Sequence, residues 1–208
     1  MASNPRALPT ATAVGAPAVA LSSAAVGPAS ASAALDELLQ GNRRYATGHA
    51  RRSRAAAAPR PFAVVLGCVD SEAAPELVFD QGLGDLLSIR TAGQVLDEAV
   101  LGSLQYGVQE LRVPLVVVLG HEGCGAVAAT LARLRTGAPV PAHLELLARE
   151  IAPAALRTRA LPGDWAEHTM RAQTVWARDA IRADPGFAGA SVVAARFDAG
   201  SRLVSLLP

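Results

Sequence analysis

The stretch "VPLVVVLGHEGCGAVAATLARLRTG", Val113–Gly137, decides the fold. It opens with VPLVVVLG, an unbroken run rich in β-branched residues that stops at Gly120, as a strand buried on both faces does. It closes with CGAVAATLARLRTG, which predicts a helix ended by Gly137. Between them, HEGCG puts a histidine and a cysteine where strand gives way to helix.

The same pattern repeats upstream. FAVVLG, Phe62–Gly67, is a second continuous apolar run, and it leads directly into Cys68. DLLSIRTAG, Asp85–Gly93, reads as a weaker strand. DEAVLGSLQYGVQEL, Asp97–Leu111, reads as a helix, with Val100, Leu104, Val108 and Leu111 at helical spacing. Strands alternating with helices imply parallel pairing through right-handed crossovers. Beyond Pro141 the segments are mostly helical. ASVVAARFD and RLVSLL then predict a last strand and a hairpin partner across Ala199–Ser201. Before the sheet, SAALDELLQGNRRYATG (Ser32–Gly48) predicts a helix with Leu35, Leu38 and Leu39 on one face, Ser32 as cap and Gly41 as stop. The fold class is therefore α/β: a mostly parallel β-sheet flanked by helices, with an N-terminal helical arm and a C-terminal hairpin-like strand pair.

Domain organisation follows from composition. Residues 1–34 are mostly Ala, Ser, Pro and Gly with Arg6 as their one charge. Such a segment buries too little apolar surface to offset its ordering entropy, so it is expected to be a disordered tail. An export signal is the alternative; a weak n-region and the breaks at Pro17 and Pro28 oppose it. Residues 35–208 are expected to form a single domain. The arginines between 43 and 60 (Arg43, Arg44, Arg51, Arg52, Arg54 and Arg60) have neither a glycine-rich nest nor interleaved aromatics. They read as a solvated connector rather than a phosphate site.

Charge and length exclude several functions. A formal net charge of +1 gives no electrostatic case for nucleic acid or an anionic membrane, and no segment is apolar for long enough to span a bilayer. Two cysteines are too few for a disulfide framework; a single bridge between Cys68 and Cys124 is the alternative, and their strand-end contexts argue against it. Their positions imply thiolates kept in a reducing compartment, hence a cytoplasmic location.

Ligands of open parallel sheets collect at the carboxyl ends of strands. Both cysteines and one of the four histidines lie at such ends. Cys68, His121 and Cys124 form a sulfur and imidazole set suited to zinc, and three protein ligands leave one tetrahedral position for water or substrate. His49, His143 and His168 lack such a context and read as structural or exposed.

Two segments carry a resemblance. CVDSEAAPELVFDQGLGDLLSIRTAGQV (Cys68–Val95) and SLQYGVQELRVPLVVVLGHEGCGAV (Ser103–Val127) resemble the β-class carbonic anhydrases, with their Cys-x-Asp-x-Arg and His-x-x-Cys motifs. The resemblance covers about residues 35–206 and is specific between 62 and 127. It implies one zinc per chain on Cys68, His121 and Cys124, with Asp70 either accepting a hydrogen bond from zinc-bound water or coordinating the metal itself. It implies hydration of carbon dioxide, a small-molecule substrate, and an obligate homodimer or higher homo-oligomer whose N-terminal helix wraps the partner. Gly93 would offer its N–H to the substrate pocket, and Gln94 keeps an amide where many relatives have asparagine. DQGLGD, Asp80–Asp85, reads as a turn under the site rather than a phosphate loop.

One position departs from the motif. Glu72 stands where the family has an arginine that pairs with the aspartate and holds it off the metal. A further carboxylate there would raise the pKa of zinc-bound water. Three outcomes follow. Asp70 could swing onto zinc and close a four-ligand shell, giving a non-catalytic or closed-site homologue. Glu72 could face solvent or a partner's arginine while another residue, with Arg90 the nearest candidate, restrains Asp70. Or the pocket could serve a related electrophile such as carbonyl sulfide, carbon disulfide or cyanate.

Overall fold

The computed structural model describes residues 28–51, 59–139 and 141–208. Most of the Ala/Ser/Pro-rich tail (residues 1–27) and Arg52 and Arg54 of the connector lie outside the described residues.

The sheet has five strands in the order β2-β1-β3-β4-β5. They are β1 (Ala63–Gly67), β2 (Leu86–Arg90), β3 (Leu115–His121), β4 (Ser191–Phe197) and β5 (Val204–Leu207). The first four run parallel and β5 returns antiparallel to β4, so the expected hairpin is present. Every residue of β1 and β3 is buried, as unbroken apolar runs require. The helices are α1 (Ala31–Ala46), α2 (Pro75–Val78), α3 (Glu98–Gln105), α4 (Gly125–Thr136), α5 (Leu144–Thr158) and α6 (Trp165–Ala183). α3 runs on into a π-helical turn, Tyr106–Glu110.

Strand alternation sorts the core into two faces. Ala63, Val65, Leu115, Val117 and Leu119 pack with Ala34 and Leu38 of α1 and with Phe79 and Phe197. Val64, Leu66, Val116 and Val118 pack on the other face with Leu104 of α3 and Ala177 and Ile181 of α6. A third cluster closes over the carboxyl ends of the strands. It joins Cys68, Val95, Cys124, Val127, Leu131, Ile151, Ala155 and Met170.

Two local expectations are corrected at α1. The helix starts before residue 35, and its cap is Ser30, whose side chain accepts from Ala33 N–H; Ser32 lies inside the helix. Gly41 does not stop the helix, which continues to Ala46. Its hydrogen is needed for close packing: a Cβ there would lie 1.8 Å from the carbonyl oxygen of Phe79. The neighbouring Asn42 is buried. Its amide donates to the carbonyls of Val78 (3.0 Å) and Arg202 (2.9 Å), and its oxygen accepts from Val204 N–H (2.8 Å). The N-terminal arm is thus stitched to the end of α2 and to β5. Gly137 does end α4, in the left-handed region at φ 67°.

Among the described residues, no helix is long and apolar enough to cross a membrane.

Candidate metal centre

β1 and β3 are adjacent and parallel, so their carboxyl ends open side by side. Cys68 follows β1 directly. His121 is the last residue of β3, and Cys124 is the N-cap of α4. A tight turn with Gly123 at φ 70° brings Cys124 back beside His121. The sequence therefore fixes three donors through backbone elements alone.

Ligand atoms of Cys68, Asp70, His121 and Cys124 all lie within 4.8 Å of one another, with the cysteines and histidine buried and Asp70 partly so. The two Sγ atoms are 3.8 Å apart and unbridged, far beyond a disulfide bond. A tetrahedral zinc with Zn–S bonds of about 2.3 Å separates two sulfurs by about 3.8 Å. His121 Nδ1 lies 2.9 Å from the carbonyl oxygen of Glu122, which assigns its proton to Nδ1 and leaves the Nε2 lone pair facing the cluster. Nε2 is buried with no hydrogen-bond partner; Asp70 Oδ2 is 3.3 Å away but off the line such a bond needs. An unpartnered imidazole nitrogen among two sulfurs and a carboxylate is what a metal ion would satisfy, and the residues fit zinc.

The protein's own charges prepare the donors. Cys68 is lowered to about 4, chiefly by the hydrogen bond from Cys124, against burial and with help from His121 and the backbone N–H groups of Asp70 and Gly93. Cys124 is pushed up by sharing its proton with the Cys68 sulfur and by burial. For His121, burial acts downward, but the Cys68 thiolate and the Asp70 charge outweigh it, and the net shift is upward.

The other candidate residues are placed as follows. Gly93 sits at φ 68°, and its N–H donates to Cys68 Sγ at 3.4 Å. Arg90 does not grip the Asp70 carboxylate. Its Nε donates to the carbonyl of Cys68 (2.7 Å) and its Nη2 to the carbonyl of Asp70 (2.5 Å), so it holds the loop by its backbone. The Asp70 carboxylate accepts from Gly125 N–H at the start of α4 (3.0 Å). Glu72 is half-exposed and turns one oxygen toward His121 Nδ1, 3.8 Å away. Gln94 is buried with its amide nitrogen unpartnered. Of the other histidines, His49 and His143 are exposed, and His168 caps the Pro162 carbonyl. The Asp80–Asp85 turn uses its acids on the protein itself: Asp80 accepts from Arg44 Nε and Arg51 N–H, and Asp85 from Gly82 N–H.

The backbone groups of Gly125 and Glu122 were not legible beforehand. Main-chain donors and acceptors leave no signature in residue type; the only hint was glycine at 123 and 125.

Comparison with known proteins agrees with this geometry. The family model described as carbonic anhydrase matches residues 63–184. Carbonic anhydrase 2 of Mycobacterium tuberculosis (strain ATCC 25618 / H37Rv) is 44% identical over 135 residues, covering 61% of this chain and 65% of that protein. The carbonic anhydrase of Mycolicibacterium smegmatis is 46% identical over 135 residues, covering 61% and 66%. The matched region thus spans just under two thirds of these relatives' length. Among solved structures, the Coccomyxa β-carbonic anhydrase in complex with acetazolamide superposes with a TM-score of 0.64 at 21% identity, over 83% of this chain and 81% of that one. A chain from the two tetrameric β-carbonic anhydrases of Sordaria macrospora gives 0.63 at 19%, over 72% and 82%. These two show likeness of fold. With more than half of its length matched by the family model, this chain belongs to the carbonic anhydrase family and shares the fold of its β class.

Proposed function

We propose that this protein holds one zinc ion on Cys68, His121 and Cys124, with Asp70 beside a fourth position left open for water, and catalyses the reversible hydration of carbon dioxide. The overall reaction is CO2 + H2O giving HCO3− and H+. The observation that carries the reading is the unpartnered, buried His121 Nε2 set among two sulfurs and a carboxylate. Family membership and the names of the mycobacterial relatives support the reaction class.

Bound zinc would supply the Lewis acidity that makes water a nucleophile near neutral pH. The chain's own residues do the rest. Glu122 C=O fixes the His121 tautomer, and Gly93 N–H tempers the charge on Cys68 Sγ. The Asp70 carboxylate, oriented by Gly125 N–H, accepts a hydrogen bond from the attacking water and aligns it, and the proton released leaves to buffer. Arg90 fixes the loop on which Cys68 and Asp70 both sit.

A second reading rests on a specific observation: among the described residues no guanidinium pairs with the Asp70 carboxylate, which stands within the donor cluster. In that reading the four-donor shell is closed and the metal is structural or resting. Stopped-flow carbon dioxide hydration from pH 7 to 9, on zinc-loaded protein and on Glu72→Arg, separates the two. A wild-type rate well above buffer supports the enzyme. A background rate in the wild type with activity in Glu72→Arg supports the closed shell. A folded protein that takes up no zinc overturns both.

The same resemblance supports a homo-oligomer, dimer or higher, and the two unbridged cysteines support a reducing, cytoplasmic setting. The tetramers of Sordaria macrospora are one precedent. Light scattering on the purified chain checks the assembly; a monomer at working concentration would overturn it.

A further inference from the structure

We propose that Glu72 is a positioning residue for the metal centre: its carboxylate is the negative outer partner of His121 and strengthens metal retention. This rests on the zinc reading above and adds a role for the one residue that departs from the motif.

His121 is fully buried, with Nε2 turned into the donor cluster and Nδ1 turned away from it. Two acceptors meet the Nδ1 side. The Glu122 carbonyl, at 2.9 Å, takes the hydrogen bond and fixes the tautomer. Glu72 Oε1, at 3.8 Å, is too far for a hydrogen bond but close enough for its charge to act. When Nε2 binds a cation, positive charge spreads through the ring to Nδ1–H. A carboxylate on that side stabilises the bound state more than the free one, as acids behind metal-ligating histidines do. Glu72 Oε1 reaches this place because Ser71–Ala73 forms a 3₁₀ turn directly after Asp70.

The nearby Arg90 does not neutralise the Glu72 charge: its Nε and Nη2 donate to the carbonyls of Cys68 and Asp70. The Asp70 carboxylate lies on the other side of the imidazole, where Oδ2 faces Gly125 N–H and His121 Nε2. His121 is thus flanked by a carboxylate on each side, one within the cluster and one behind it.

The test uses the full chain and zinc alone as probe. Zinc affinity is measured by competition with a chromogenic chelator for wild type, Glu72→Gln, Glu72→Asp and Glu72→Arg, at low and high salt. Cobalt-substituted samples report the donor set by their visible spectrum. Glu72→Gln keeps the shape and removes the charge; it is expected to bind zinc about threefold to tenfold more weakly at low salt, at the low end of such effects because Glu72 is half-exposed. The gap should narrow at high salt, since an exposed charge is screened, and Glu72→Asp should recover part of it. Glu72→Arg reverses the charge behind His121 and should bind more weakly still, while Glu72→Gln leaves the cobalt spectrum unaltered because the donor set is unchanged. Equal zinc affinity in wild type and Glu72→Gln would overturn the inference while leaving the zinc reading intact. Zinc binding by none of the four folded proteins would overturn both.

Discussion

The two loops that build the site are made differently. The β3 loop carries His121 and Cys124 and passes straight from strand to helix. The buried β3 anchors it on one side and α4 on the other. The β1 loop carries Cys68 and Asp70 and enters only a 3₁₀ turn and the single turn of α2. It is held from outside, by Arg90 on its carbonyls and by α1 packed through Gly41 and Asn42 against Phe79 and Val78. One loop is positioned by its own secondary structure, the other by neighbours. The motif departs from the family in the second, where geometry rests on side chains that a single substitution can redirect.

This difference can be broken or sharpened by mutation. The largest effect is expected where the loops meet. Cys68→Ser and Cys124→Ser should each reduce zinc from about one ion per chain to near none, read by elemental analysis, since each removes a thiolate that zinc prefers over a hydroxyl. If either variant kept full zinc, the two loops would not share one metal.

Arg90→Ala comes next and should act on the β1 loop alone. It removes two charge-assisted bonds to partly buried carbonyls, so a loss of about 2–4 kcal/mol in chemical denaturation is expected. Zinc affinity should fall with it. A loss of affinity without a loss of stability would mean that Arg90 acts on the metal and not on the loop.

Paired glycine substitutions compare the supports behind each loop. In Gly41→Ala the new methyl meets the Phe79 backbone, which cannot swing aside, and a destabilisation of about 3 kcal/mol or more is expected. In Gly120→Ala it meets side chains rather than backbone, the Met170 sulfur, which can swing, and the buried Thr174 hydroxyl, which must give up its bond to the Met170 carbonyl, so about 1–3 kcal/mol is expected. The reverse order in thermal or urea melts would show that α1 is the softer support.

The smallest effect lies behind the β3 loop. Asp198 is held well below the usual carboxylate range by Ser201 N–H first and by Arg196, which also reaches Glu122. Its folded pKa is depressed, so its contribution is present above the unfolded value of about 3.9 and is lost as pH falls. Asp198→Asn should be slightly less stable than wild type at neutral pH, with the gap closing as acid protonates the native side chain. A gap that persists unchanged below about pH 2 would assign the effect to packing.

The sequence by itself determined the parts that depend on residue type and local period. Unbroken apolar runs gave β1 and β3, because a strand with both faces covered has no polar side to show. Two thiols and an imidazole at their ends named a metal chemistry, because few other uses gather those donors. Helix spacing placed α3, Gly137 marked the close of α4, and β4 and β5 followed as a strand and its hairpin partner across Ala199–Ser201. Tertiary structure decided what depends on main-chain groups and on direction. Gly41 looked like a helix stop, since sequence shows an absent side chain but not the Phe79 carbonyl that requires its absence. Arg90 looked like a partner for the Asp70 carboxylate, yet it holds two carbonyls, which every residue carries and none advertises. Glu72 was visible as a departure, but its place behind His121 was not, because a half-exposed side chain's aim is set by the turn beneath it and the field around it.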